Sequence, residues 1–351
     1  KWPHAMLTSS THDTKRSEDV RARIDALSEM PREWRTALNR WARLNRRQKT
    51  RVEGTLAPDR NDEYLFYQAL LGVWPFGAEQ ADAELIDRLE AYMLKAIHEA
   101  QVHTSWINPN EEYDQAVSAF VRGVLSAENG AFLTDFAQFQ ARIAHVGVFN
   151  ALTQQLLKLT SSGVPDIYQG TELWDFSLVD PDNRRPVDYG QRARLLRTLR
   201  RRKVGAQLTA ELLERMDDGR IKLYLTHRAL GCRQEYSTLF QEGDYIPLVA
   251  KGSRRDHVVA FARRAAEEEV IVVVPRLVAG LIRDDAAPLG DIWGDTYLEI
   301  PGAGDDRYRD LFTGAFVMAQ DAHLRLSDVF AAFPVALLAR QSESAQAPSA
   351  Q

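Results

Sequence analysis

The apolar pattern changes period partway along the chain, and that change limits the possible folds more than any single motif. From Glu33 to about Asn150 apolar residues recur every three or four positions, as in Trp34, Leu38, Trp41 and Leu44 or Tyr113, Val117, Phe120, Val121 and Leu125. That spacing lines one face of an α-helix. Beyond about Glu242 they come in β-branched runs, Val258-Val259-Ala260-Phe261 and Val270-Ile271-Val272-Val273-Val274. Further candidate strands lie at Tyr297–Ile300, Tyr308–Phe312 and Val335–Leu338, with turn formers such as Gly302-Ala303-Gly304-Asp305 between them. Short strands at this spacing predict an antiparallel sandwich.

Two short segments fit neither block. Ala5-Met6-Leu7-Thr8 is apolar and followed by a polar loop, and Ser17 then reads as a helix N-cap with Glu18 and Asp19 in the first turn. After Phe149 a further helix through Leu152, Leu156 and Leu159 ends near Ser161-Ser162-Gly163. Val164-Pro165-Asp166-Ile167-Tyr168 then reads as a buried strand, closed by the turn Gln169-Gly170. Helix, glycine, apolar strand and polar loop make a βα unit of a (β/α)8 barrel or a doubly wound sheet. Helices resume at Gln191–Arg202, Ala210–Met216 and Ile221–Cys232, and the tail after Arg340, rich in Ser, Gln and Ala, reads as disordered.

Composition excludes several classes. With 351 residues, length alone predicts two or three domains. Basic residues number 44 against 49 acidic, which argues against nucleic acid as a partner. The single cysteine, Cys232, rules out an internal disulfide framework. No apolar run is long enough for a transmembrane helix, so no membrane partner is expected, and no secretory leader follows Lys1-Trp2-Pro3-His4. The first residue is Lys1 and the first methionine Met6, from which the chain is expected to be a piece of something longer.

Three segments could carry chemistry. The densest is Thr11-His12-Asp13-Thr14-Lys15-Arg16, placed after a candidate strand, where barrel enzymes put catalytic groups. Lys15 and Arg16 beside Asp13 would keep its carboxylate ionised; an Asx turn with exposed charges is the simpler alternative. The second runs from Tyr168 through Glu172, Trp174 and Asp175 to Asp180-Pro181-Asp182-Asn183-Arg184-Arg185-Pro186. Acids, arginines and an indole suit a sugar's hydroxyls and its apolar face; a loop held by internal Asp–Arg pairs is the alternative. The third, Pro58 to Tyr64, reads as a helix N-terminus with Asn61 or Asp62 as cap. No phosphate-binding glycine loop, dinucleotide fingerprint, serine-hydrolase elbow or zinc-protease motif is present, and the eight histidines lack metal-ligand spacing.

Pro3-His4-Ala5-Met6-Leu7 through Asp19, Asp59 to Tyr64, Thr104 to Pro109, Gly163 to Glu172 and above all WDFSLVDPDNRRPVDY from Trp174 to Tyr189 resemble the maltooligosyltrehalose synthase family of the α-amylase superfamily. Trp293-Gly294-Asp295-Thr296 and Asp310-Leu311-Phe312-Thr313-Gly314 extend the match. The resemblance implies an α/β fold: the C-terminal part of a (β/α)8 TIM barrel (strands 7 and 8) with a large α-helical insertion, plus a C-terminal antiparallel β-sandwich. It divides the chain into 1–16 (end of strand 7 and catalytic loop), 17–150 (helical insertion), 151–241 (strand 8 and closing helices), 242–341 (sandwich) and 342–351 (disordered tail). Strands one to six, which in this superfamily carry the nucleophile Asp and the acid/base Glu, would be missing. Thr11 stands where most superfamily members have Asn.

The activity implied is an isomerase's intramolecular transglucosylation. The reducing-end α-1,4 linkage of a maltooligosaccharide becomes an α,α-1,1 linkage, a step of trehalose biosynthesis in the cytoplasm. By resemblance Asp13 is the transition-state-stabilising carboxylate and His12 binds the same sugar. Lys15, Arg16, Glu172, Trp174 and Asp175 are substrate-binding candidates. No metal or organic cofactor is implied. The implied partners are the maltooligosaccharide, the missing barrel half and the pathway enzyme maltooligosyltrehalose trehalohydrolase. A non-catalytic glucan-binding or interaction module is the alternative, and the piece alone is expected to be inactive.

Overall fold

The computed structural model describes residues 3–283 and 285–341. The expected disordered tail, 342–351, lies outside them. The chain forms two compact units, one of residues 10–147 and 175–185, the other of residues up to 9, 148–174 and from 186 onward.

Strand β1 (Met6–Leu7) precedes the first of these units. The helical unit then runs α1 (Glu18–Asp25), α2 (Pro31–Leu44), the hairpin β2 (Thr50–Val52) and β3 (Thr55–Ala57), α3 (Arg60–Val73), α4 (Ala83–Ala100), α5 (Glu111–Leu125) and the start of α6 (Gly130–Thr160). Its core is built on Trp41. This side chain is fully buried, with the rings of Trp34, Tyr67, Phe132 and Phe136 at centroid distances of 5.7, 5.4, 5.9 and 5.4 Å. Such ring pairs add roughly 0.5–1.5 kcal/mol each beyond area burial. Trp41 Nε1 donates to Asp135 Oδ2 at 2.6 Å, so the one polar atom of the indole is satisfied.

Arg23 is also fully buried and closes the end of α3, donating from Nη1 to the carbonyls of Gly72 and Trp74 at 2.9 and 2.7 Å. The rings of Phe76 and Phe176 lie 4.5 and 3.6 Å from its guanidinium carbon. A cation at the negative end of a helix is favourable. Burial nevertheless pulls this guanidinium down to about 9, against the opposing charge of Asp19.

Two expectations need correction here, and a third holds in position though not in its bonding. Helix α6 has 31 residues and continues unbroken through Asn150, where the sequence suggests a boundary. Val146, Val148, Phe149, Ala151 and Leu152 are all buried there, so the helix has no polar face to mark its period. The cap of α3 is Asp59, whose Oδ1 accepts from the N–H groups of Asn61 and Asp62 at 2.9 and 2.8 Å. Ser17 occupies the N-cap position of α1 but makes no capping bond; Ser10 Oγ accepts from Glu18 N at 2.9 Å instead.

In the other unit β1 pairs in parallel with β4 (Val164–Pro165), Met6 opposite Val164 and Leu7 opposite Pro165. Gly163 has φ +130°, and a Cβ there would meet Ala5 O at 2.7 Å, so the close approach of the two strands requires glycine. Met6 and Val164 are 69% and 52% exposed. Helices α7 (Tyr189–Arg201), α8 (Ala206–Glu214), α9 (Arg220–Glu235) and α10 (Ser237–Glu242) follow.

The rest is antiparallel sheet: β5 (Asp244–Pro247), β6 (Val249–Lys251), β7 (Val258–Ala265), β8 (Glu268–Pro275), β9 (Tyr297–Glu299), β10 (Arg307–Asp310), β11 (Phe316–Met318), β12 (His323–Arg325), the short helix α11 (Leu326–Val329) and β13 (Ala336–Gln341). Six strands run in the order β11-β10-β13-β8-β7-β5 and three in the order β12-β9-β6. Ile271 and Val273 from the larger sheet, Leu298 and Leu324 from the smaller, and Trp293 share one apolar core.

Candidate active site

The segment after β1 folds as a compact turn. Thr11 N donates to Thr14 Oγ1 at 2.6 Å, Asp13 N to Thr11 Oγ1 at 3.2 Å, and Thr14 N to Thr11 O at 3.3 Å. Short hydroxyl-bearing side chains make such turns because they reach their own backbone. Asn183 fixes the turn from the 175–185 segment, donating from Nδ2 to Thr11 O at 3.2 Å and His12 O at 2.9 Å. The result presents His12 and Asp13 outward, with Nε2 and Oδ2 3.6 Å apart and the Asp13 side chain 85% exposed.

The two cations that follow differ in their surroundings. Lys15 Nζ donates to Glu99 Oε2 on α4 at 2.8 Å. That bond, against a small opposing effect of burial, raises the ammonium above its ordinary value; Asp13 adds only a weaker attraction. The hydrogen-bonded carboxylate of Lys15 is thus Glu99, a partner that the sequence did not point to. Arg16 is half-buried, and its Nε and Nη2 have no hydrogen-bond partner among the described residues. Its backbone forms an antiparallel bridge with Leu178. Burial raises the phenol of Tyr92, and the charges of Arg16 and Lys15 oppose that rise.

The 175–185 segment is tied down along its length. Ser17 Oγ donates to Asp175 O, and Ser17 N to Ser177 O at 3.0 Å. Asp175 N donates to Asp19 Oδ2 at 2.8 Å, while its own Oδ1 accepts from Ser177 N at 3.0 Å. Arg88 on α4 takes Asp182 as a fork, and Leu178 N donates to the same carboxylate at 2.7 Å. Asp180 pairs with Arg184, and this bond holds its carboxyl below the ordinary value. Lys95 Nζ donates to Asp180 O at 2.6 Å. Between α4 and Val179–Asp182 lies a recess of about 560 Å³, with Tyr92, Val179 and Pro181 among its apolar lining and Arg88, Lys95 and Asp180 among its charges.

Glu172 and Trp174 belong to the other unit. Glu172 Oε2 accepts from Arg192 Nε at 2.9 Å, and Arg192 Nη2 also donates to Gly170 O at 2.7 Å. Trp174 Nε1 donates to Met216 O at 2.6 Å, and Lys222 Nζ stands 5.7 Å from the indole ring. Gly219 has φ +77°, and a Cβ there would lie 3.1 Å from Trp174 N.

The structure thus brings His12, Asp13, Lys15, Arg16 and Asp175 together in one unit and places Glu172 and Trp174 in the other. Sequence reasoning missed Arg88, Lys95 and Glu99, and it named Asn183 only within the second segment, not as the anchor of the first. The first three, with Tyr92, follow helical spacing along α4; their signal was a polar row beside the apolar row Leu85, Leu89 and Ile97. Asp59, Asp62 and His103 are the one trio of metal-ligating type among the described residues whose ligand atoms lie within 4.8 Å of one another. Each is engaged: Asp59 caps α3 and accepts from His103 Nε2 through Oδ2 at 2.9 Å, and Asp62 accepts from Tyr113 Oη at 2.6 Å.

Fold and site together define an α/β protein whose candidate polar residues sit on loops beyond the carboxyl ends of parallel strands. No protein-family model matches the chain. A curated protein of Mycobacterium tuberculosis, provisionally named maltooligosyl trehalose synthase, is 36% identical over 341 residues, 97% of this chain and 38% of the relative. The solved maltooligosyltrehalose synthase of Arthrobacter ramosus superposes with a TM-score of 0.76 at 35% identity, covering 97% of this chain and 39% of that one. A structure of a hypothetical maltooligosyl trehalose synthase from Sulfolobus tokodaii gives 0.66 at 30% identity, with 94% and 38% covered. Over nearly its whole length the chain is similar to a C-terminal portion of the maltooligosyltrehalose synthases. It spans less than two fifths of the length of the curated relatives it matches.

Proposed function

We propose that this chain supplies strands 7 and 8 of a (β/α)8 barrel, a helical insertion and a C-terminal sandwich to a cytoplasmic isomerase that converts the reducing-end α-1,4 linkage of a maltooligosaccharide to α,α-1,1. The observation that carries the reading is the pair β1–β4. Parallel strands occur almost only in sheets covered on both faces, and a two-stranded sheet has little stability of its own. Here the pair is two residues deep, with Met6 and Val164 left largely exposed. Such a pair suits the closing seam of a larger parallel barrel. Thr8 Oγ1 donates to Asp166 Oδ2 at 3.3 Å just past the paired residues, so the two strand ends are held level.

In this reading the chemistry is retaining glycosyl transfer through an oxocarbenium-like transition state. The nucleophile and the acid/base come from the part of the relatives that this chain does not span. Asp13, exposed on a turn whose backbone is fixed by Thr11, Thr14 and Asn183, presents a negative charge to the developing positive charge and accepts hydrogen bonds from sugar hydroxyls. His12 binds the same sugar. Lys15, Arg16 and Asp175 border the acceptor glucose, and Glu172 and Trp174 are further substrate-binding candidates. The freed glucose attacks the glycosyl-enzyme through its C1 hydroxyl. The new bond forms as the enzyme's ester bond breaks, and water must be kept out for this to outrun hydrolysis. Loss of reducing ends from maltopentaose tests the reading. The chain alone is expected to give none, and the chain combined with the remaining portion of its relatives is expected to give non-reducing product. Turnover by the chain alone, or none by the combination, overturns it.

A further inference from the structure

We infer that the outer face of the three-stranded sheet carries a separate carbohydrate site, a recess that takes a segment of an α-1,4-glucan chain. Strands β9 and β12 pair with Tyr297 opposite Arg325 and Glu299 opposite His323. Strand alternation sends Leu298 and Leu324 into the core, where both are fully buried, and turns Tyr297, His323 and Arg325 to the other face. The His323 ring meets Tyr297 edge-on, with centroids 4.6 Å apart at 62°. This pair gives the sheet a ring platform beside a guanidinium.

The walls come from two tight turns. Residues 320–323 close by reciprocal main-chain bonds, Gln320 N to His323 O at 3.0 Å and His323 N to Gln320 O at 2.9 Å. The two residues between, Asp321 and Ala322, have φ of +50° and +64°. Asn-Gly is the usual choice for such a turn, and alanine in the left-handed region is strained. Opposite, Asp295 Oδ1 accepts from Ser253 N at 2.9 Å and Ser253 Oγ at 2.6 Å, which fixes its carboxylate and holds it below its ordinary value. The enclosed space is about 560 Å³, within the range of small-molecule sites.

The lining selects the ligand. Among the described residues its acids and His323 do not gather their ligand atoms as a metal trio does. Asp295, Asp321 and Asp328 repel an anion. Carboxylates, the Gln320 amide and the Arg325 fork around a tyrosine ring fit a neutral polyol whose hydroxyls both donate and accept while its ring face stacks. That the polyol is an α-1,4-glucan rests on the function proposed above.

Hydrogen exchange of the 351-residue chain with and without maltoheptaose tests the assignment. Exchange across residues 318–325 is expected to slow. The slowing is lost in Tyr297→Ala, needs about tenfold more sugar in Gln320→Ala, whose side chain lies on the surface, and persists in Asp13→Asn. Cellopentaose gives none. Absence of slowing, slowing that survives both recess variants, slowing lost in Asp13→Asn, or equal slowing by cellopentaose overturns the assignment. Slowing at 318–325 without non-reducing product from the combined enzyme rejects only the function proposed above, and product without slowing rejects only this site.

Discussion

Arg88 holds Asp182 with two parallel bonds, Nε to Oδ1 at 2.8 Å and Nη2 to Oδ2 at 3.0 Å, and the same Nη2 reaches Phe176 O at 2.8 Å. One side chain on α4 thereby organises both ends of a seven-residue stretch of the candidate site. Burial alone pushes the Asp182 carboxyl up, but Arg88, Leu178 N and Arg185 outweigh it and hold it below its ordinary value of 3.8. A carboxyl depressed on folding stabilises above its unfolded value, and that contribution is lost as pH falls through the folded one. Arg88→Met, which strands a half-buried acid, is expected to cost about 3 kcal/mol at pH 7. Urea midpoints of the wild type and Asp182→Asn should differ at neutral pH and converge in acid below 3.8. A difference that does not shrink there contradicts the assigned role.

Asp59 and not Asp62 ends the orphaned N–H groups of α3. Asp59→Ala is therefore expected to destabilise by about 1–2 kcal/mol, the usual loss of an N-cap. Asp59→Asn keeps an accepting oxygen and should recover most of it. Thermal unfolding of the two variants separates them; equal losses would place the importance of Asp59 in its contact with His103 instead.

Asp13 stands apart from these structural acids because its side chain is 85% exposed and its backbone, not its carboxylate, makes the turn. Asp13→Asn is expected to leave the unfolding midpoint within about 0.5 kcal/mol of wild type. In the combined enzyme it should lower kcat for non-reducing product by more than about tenfold, roughly 1.4 kcal/mol of barrier. A large stability change with little kinetic change would reverse the two roles.

What the sequence made legible follows from length and burial. The amphipathic helices α2 to α5 and the long strands β7 and β8 announce themselves because each repeats one period over several residues. The three-residue strands β2, β3, β6, β11 and β12 do not: β11 turns only Val317 inward, and its register comes from β10. The turn at Thr11–Arg16 was visible as a charge cluster. Its partners were not, because Glu99 lies 84 positions from Lys15 and Asn183 lies 171 from His12. No local pattern ties residues that far apart; only the packing of α4 and the 175–185 segment does. Ser17 shows the same limit in reverse, since its residue type fits a cap and tertiary contact gave it Asp175 O instead.

Gly219 offers the sharpest test of how Trp174 is positioned. Its φ of +77° is costly for any residue with a Cβ, and that Cβ would press on Trp174 N at 3.1 Å and Leu173 Cβ at 3.3 Å. The N–H groups of Lys222 and Leu223 donate to Gly219 O at 3.1 and 3.2 Å, so a shift at 219 is felt directly in the first turn of α9. Lys222 lies fully buried near the indole, and Met216 O accepts its N–H; both depend on that turn. Gly219→Ala is expected to destabilise by about 1–3 kcal/mol, through backbone strain and crowding together. Hydrogen exchange across residues 171–176 should quicken in Gly219→Ala and stay unchanged in Gly304→Ala, where a Cβ meets nothing within 4 Å and φ lies outside the left-handed region. In the combined enzyme Gly219→Ala should raise KM for maltopentaose more than it lowers kcat if Trp174 binds the sugar as proposed, because it loosens that ring and leaves the turn of Asp13 untouched. An equal fall in kcat with KM unchanged would mean that Trp174 acts on the transition state and not on binding.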